Sequence, residues 1–128
     1  MARRVLFAGW VAVILAAVVP WWDMQNHTHW SKVQWIPFLT PPIKPLDLIG
    51  NVLLYLPFGV LFPTRRDASW WRWPVAVALG LSIVTEWTQL YSHWRFPSFT
   101  DVTCNVIGAA IGARLSRWRG TISESAAP

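Results

Sequence analysis

Charge is what this chain has least of. Asp, Glu, Lys and Arg make up 13% of its 128 residues, about half the share of a soluble globular domain. Too few polar side chains remain to cover a soluble protein of this size, and a lipid surround accounts for the deficit. A single cysteine, Cys104, excludes an internal disulfide. It sits in an apolar run and reads as a small buried packing residue. No P-loop, nucleophile elbow or paired-histidine metalloprotease motif occurs. The net charge of +5 comes from short basic groups flanking apolar runs, not from a continuous stripe interleaved with aromatics, which excludes a nucleic-acid partner. The length allows one domain of ordinary size.

What is present is apolar: 54% hydrophobic residues and eleven tryptophans, the side chain that concentrates at bilayer–water boundaries. Four apolar stretches predict an all-α fold, an integral membrane bundle of four transmembrane helices with spans at about 5–21, 46–62, 73–91 and 101–115. These form one domain over 1–119, followed by a short disordered tail over 120–128. The first stretch begins with Arg3-Arg4 but exits into Val18-Val19-Pro20-Trp21-Trp22, with no small-residue cleavage site, so a retained helix is expected. With both termini cytoplasmic, the inner segments hold Arg3, Arg4, Arg65, Arg66, Arg72, Arg114, Arg117 and Arg119. The outer loops then hold Lys32, Lys44 and Arg95, and this asymmetry predicts the orientation. The loop from Trp21 to Pro45, rich in Trp and Pro, predicts a segment lying along the interface.

Polar residues inside the spans are the functional signal, because each is costly in lipid and faces the bundle interior or a cavity. Asp47 and Asn51 share a face of the second helix, and Glu86 and Gln89 are neighbours on the third. Asp101, Asn105, Gly108 and Gly112 form one stripe of the fourth. At about 1.5 Å per residue, Asn51, Glu86 and Asn105 each lie some 6–8 Å inside the outer ends of their helices. Arg95, in the short loop between the third and fourth helices, is the cation nearest in sequence to Glu86 and Asp101. One outward-facing polar cluster under Arg95 is expected. Pro57 predicts a kink and frees the Leu53 carbonyl for a polar partner. Gly108 and Gly112, in a GxxxG pattern, predict close packing within the bundle or between two copies. His27-Thr28-His29 supplies two zinc ligands where a site takes three or four. With Asp23 or His93 as the only supplements, the segment reads as a solvated loop, and neither metal nor cofactor is expected.

Taken together, Trp35-Ile36-Pro37-Phe38, the run from Asp47 and Asn51 to Pro57-Phe58-Gly59, Glu86-Trp87-Thr88-Gln89, Arg95, and Asp101 through Asn105, Gly108 and Gly112 resemble the VanZ-like family of bacterial membrane proteins. The matching pieces cover about residues 35 to 113. The resemblance implies a multi-pass protein of the bacterial cytoplasmic membrane with a link to teicoplanin-type glycopeptide resistance. Where many members carry further acidic residues between the arginine and the final aspartate, this chain has Phe96-Pro97-Ser98-Phe99-Thr100, which argues against a multi-carboxylate metal site.

The expected function is binding or handling of an anionic amphiphile at the outer leaflet: a membrane lipid, a lipid-linked cell-wall precursor or a lipophilic glycopeptide. Asp47, Asn51, Glu86, Gln89, Arg95, Asp101 and Asn105 form the expected site, with Arg95 on an anionic group. Pro57, Gly59, Gly108 and Gly112 are the expected packing positions. Two alternatives stay open: a membrane-embedded hydrolase or transferase with Glu86 or Asp101 as general base, and a structural partner protein without a ligand of its own.

Overall fold

The computed structural model describes residues 1–39, 44–63 and 70–125, with the side chains of 1–39, 44–63 and 70–118. Its order is α1 (Ala2–Val18), a single 3-10 turn (Trp30–Lys32), α2 (Pro45–Leu61), α3 (Arg72–Gln89) and α4 (Phe99–Ser125). The four expected helices are present, and among the described residues the fold is all-helical apart from one isolated bridge, Gln34 with Ser98. Among the described residues no helix is long and apolar enough to cross a membrane.

Proline sets several of the boundaries. Pro20 disfavours helical geometry at Val19, which leaves α1 with φ −73° and ψ 128°. The Leu15 carbonyl accepts both the Val19 N–H at 3.1 Å and the Trp21 indole N–H at 3.0 Å, which closes the end of α1. Pro45 opens α2 at a position where its missing N–H has no intrahelical use. α2 runs on through Pro57 as one helix. Beside the carbonyl that Pro57 leaves without its donor, the Trp10 indole of α1 donates to the Leu54 oxygen at 2.8 Å. α4 continues to Ser125, into the stretch read as a tail from Gly120. No proline interrupts it, and a glycine at position 120 costs only about 1 kcal/mol relative to alanine.

α2 and α4 pack most closely, and glycine is the reason. A Cβ on Gly59 would collide with the Ala109 carbonyl oxygen and lie 2.7 Å from the Ala113 nitrogen. One on Gly108 would strike the Val52 carbonyl, and one on Gly112 the Leu56 carbonyl. The small-residue stripe of α4 thus packs on α2 of the same chain, with Gly108 and Gly112 buried. The core of Ile14, Val18, Tyr55, Phe58, Ala78 and Ala109 fills the space beside this contact. Phe7 packs there against Phe58 with the rings tilted and against Phe62 edge-on, at centroid distances of 5.0 Å and 5.2 Å.

The helices alternate in direction, so the bundle has two ends. At one end the Arg3 guanidinium donates to the carbonyls of Val60 (2.8 Å), Phe62 (3.0 Å) and Leu61 (3.2 Å), and to the Ser116 hydroxyl (3.0 Å). It satisfies the open carbonyls at the C-terminus of α2 and opposes the negative end of that helix. Arg117 lies over the Trp70 ring at the same end. At the other end the loop after α1 meets the α3–α4 turn and the first turn of α4. Arg65 and Arg66 lie outside the described residues.

Candidate functional site

The site grows from the short α3–α4 turn, which one carboxylate organises. Asp23, from the loop after α1, is buried. Its Oδ2 accepts from the Ser92 hydroxyl (2.6 Å) and from the N–H groups of His93 (2.8 Å) and Trp94 (3.2 Å). The Ser92 bond, ahead of those to Trp94, His93 and Gln25, holds the Asp23 carboxyl below the ordinary aspartate value against the opposing effect of burial. The Ser92 hydroxyl in turn accepts from the Arg95 N–H at 3.0 Å. The turn carrying Trp94 and Arg95 is therefore fixed by a residue some 70 positions earlier.

Beyond that turn, residues 34 and 38 lace the α1–α2 loop onto the start of α4. Gln34 N–H donates to the Pro97 carbonyl (2.9 Å) and the Gln34 carbonyl accepts from Phe99 N–H (3.1 Å). Phe38, at φ 59°, donates its N–H to the Thr100 hydroxyl at 2.9 Å. A bulky residue in the left-handed region is rare, and the bond to Thr100 holds it there.

Between these elements and α2 lies an open cavity of about 600 Å³. Asp47 and Asn51 of α2, Gln89 of α3, Arg95 of the turn and Asp101 of α4 line it, joined by Lys44, Gln34, Ser98 and Thr100. Asn51 serves the Asp101 carboxylate as a hydrogen-bond partner, while Arg95 attracts that carboxylate and Asp47 repels it. Arg95, Lys44 and Asp47 are exposed and Asn51 and Asp101 half-buried, so the charges reach the opening. Gln89 closes the floor, its amide donating to the Val18 carbonyl at 3.4 Å. Five of the seven residues expected from the sequence thus meet around one space.

The other two lie elsewhere. Glu86 is buried, and its Oε2 accepts the Ser98 N–H at 2.7 Å. It faces a separate apolar groove walled by Trp30, Val33, Trp35, Ile83, Trp87 and Phe99. There Trp30 meets Trp87 edge-on and Trp35 stacks on Phe99, each pair at 5.6 Å. Asn105 is deeper, donating to the Ser82 hydroxyl at 2.8 Å. Its Oδ1 and the Tyr55 hydroxyl are buried without a hydrogen-bond partner among the described residues. Ser98 borders both the polar cavity and the apolar groove.

Sequence reasoning passed over Lys44 and Ser98 as site residues and gave Asp23 no part in it. Lys44 carries a signal in its place just before Pro45 and Asp47. Asp23 and Ser92 carry none, because their pairing is set by tertiary structure alone.

The VanZ/LLP1 family model matches residues 5–120, nearly the whole chain. No curated protein and no solved structure matches.

Proposed function

The chain belongs to the VanZ/LLP1 family, and on that footing we propose that it is a multi-pass membrane protein whose polar cavity takes the head of an anionic amphiphile at the outer leaflet. Membrane residence is supported by the bundle's exterior. Leu6, Val13, Leu53, Val77, Val84 and Ile111 are all exposed large aliphatics, drawn from all four helices. A water-facing surface of that kind is uncommon. The 17 residues of α1 and of α2 span about 25 Å, a few ångströms below a hydrocarbon core of about 30 Å. Bilayer thinning and interfacial anchors absorb such a mismatch at fractions of a kcal/mol per Å, and Trp21 and Trp22 stand at the end of α1 to serve as anchors.

The observation that carries the binding reading is that a polar cavity and an apolar groove lie side by side, with Ser98 lining both. An amphiphile needs both. Arg95 and Lys44 at the opening suit a phosphate or carboxylate, the guanidinium by its planar donor fork. Asp47, Asn51 and Asp101 suit hydroxyl or amine donors on the same head. The tryptophan-lined groove suits an acyl or polyprenyl chain. Glu86, one of whose carboxylate oxygens is taken by the Ser98 N–H, positions the wall between the two spaces. Membrane lipids, lipid-linked wall precursors and lipophilic glycopeptides share this chemistry, and a part in teicoplanin-type resistance follows as a family-level extension.

Native mass spectrometry of gently purified protein tests the reading. Wild type should retain an anionic lipid, and Arg95→Ala should lose at least about nine-tenths of it, the tenfold drop expected for about 1.4 kcal/mol. Equal retention by the two proteins, or no anionic lipid on wild type, would refute it.

A further inference from the structure

Of the three histidines of this chain, His27 and His29 are two positions apart and His93 stands 64 residues beyond His29, yet all three converge. A ligating nitrogen of each lies within 4.8 Å of the others among His27, His29 and His93. Their ring centroids are 4.8 Å (His27–His29), 4.8 Å (His29–His93) and 5.4 Å (His27–His93) apart. We propose that His27, His29 and His93 form a three-imidazole site for a divalent transition-metal ion of the zinc class, with a fourth coordination position left open.

Two features set this trio apart from rings that merely pack. First, His29 is oriented as ligating histidines are, by a bond from its other ring nitrogen to a carbonyl. His29 Nδ1 lies 3.2 Å from the Leu90 carbonyl oxygen, which also accepts the His29 N–H at 2.9 Å. With the proton on Nδ1, the Nε2 lone pair is free for a metal. Second, both backbones are already held in place. Asp23 accepts the His93 N–H at 2.8 Å, and the Gln25 N–H donates to the Tyr91 carbonyl at 2.7 Å. Metal binding would therefore order side chains and leave the backbone nearly unchanged.

Zinc–nitrogen bonds of about 2.0–2.1 Å place tetrahedral ligands about 3.3 Å apart. The present spacing needs to contract by roughly 1.5 Å, and His27 and His93 are exposed and free to rotate inward. Three neutral imidazoles suit zinc, copper or nickel over magnesium or calcium. They leave the ion's charge uncompensated, so the fourth position favours water or an anionic oxygen. The ion would tie the loop after α1 to the turn that presents Trp94 and Arg95, clamping one wall of the cavity.

Isothermal titration of untagged protein with zinc chloride, alongside thermal melting with and without zinc, tests the site. One zinc per chain is expected, with a rise in melting temperature. Loss of an orienting partner alone weakens metal binding about 10–100-fold, so His93→Ala and His27→Ala should each weaken it by more than about 100-fold and abolish the thermal shift. Thr28→Ala should bind as wild type does. Both His27 and His93 are exposed, so these variants keep the fold, and their melting curves without zinc verify it. Zinc bound equally well by His93→Ala, which would leave only the His27–His29 pair, overturns the proposal. So does the absence of stoichiometric binding to wild type.

Discussion

At the Arg3 end of the bundle the helices close on one another; at the Asp23 end they part around a cavity. The closed end uses glycine and a capping arginine: Gly59 and Gly112 let backbones meet, and Arg3 gathers the last carbonyls of α2. The open end carries every acidic side chain described, Asp23, Asp47, Glu86 and Asp101, with Asp23 and Glu86 buried and Asp47 exposed. Close packing and a polar opening are thus served by different residues at different heights of the same helices. α4 contributes to both, Gly112 at one height and Asp101 at the other.

The sharpest break of that contrast is at α2–α4. Gly112→Val should destabilise the bundle by about 3 kcal/mol or more, because the added atoms meet backbone that cannot rotate away. Gly80, with nothing within 4 Å of an added Cβ, supplies the control: Gly80→Ala should be neutral or stabilise by up to about 1 kcal/mol. Thermal or denaturant unfolding of detergent-purified variants reads both, and equal effects at the two glycines would contradict the packing described. Next, Arg3→Ala removes four hydrogen bonds at an exposed position and should cost about 1–2 kcal/mol in the same assay. Lipid retention on Arg3→Ala should stay as in wild type, since its effect belongs to the closed end. A loss of lipid there would blur the distinction.

The smallest expected effect concerns Asp23. Its pKa is lowered in the folded state, so the unfolded chain takes up the proton first. Its contribution to stability is full above the ordinary aspartate pKa of about 4 and disappears as pH falls through the lower folded value. Asp23→Asn should therefore flatten the stability–pH curve below about pH 4. A wild-type curve and a variant curve that fall in parallel would show that the carboxylate has no such part.

Helical periodicity made the fold class and much of the cavity legible before any coordinates. The four-residue spacing of Asp47 with Asn51 put two lining residues on one face, and the position of Arg95 between two apolar runs put a cation at their mouth. The stripe from Asp101 to Gly112 lies along α4. Periodicity reports direction but not neighbours, however, and the stripe divides with depth. Asp101 opens on the cavity, Asn105 meets Ser82, and the glycines meet α2. Glu86 departed from expectation for a related reason: its helix is right, but the Ser98 N–H draws its carboxylate to the wall and not into the space. The Trp10 indole at Leu54, the Asp23 link to Ser92 and the gathering of three histidines depend on chain segments brought together from far apart in sequence, which no local pattern encodes.

The proposed outer-leaflet site requires the two ends of the bundle to face different aqueous compartments. In a Cys104→Ser background, Trp94→Cys and Trp118→Cys place single thiols at exposed positions of the open and closed ends. With intact cells and a membrane-impermeant maleimide, Trp94→Cys should be labelled from outside and Trp118→Cys only after lysis. Labelling of both before lysis, or of Trp118→Cys alone, would contradict the account.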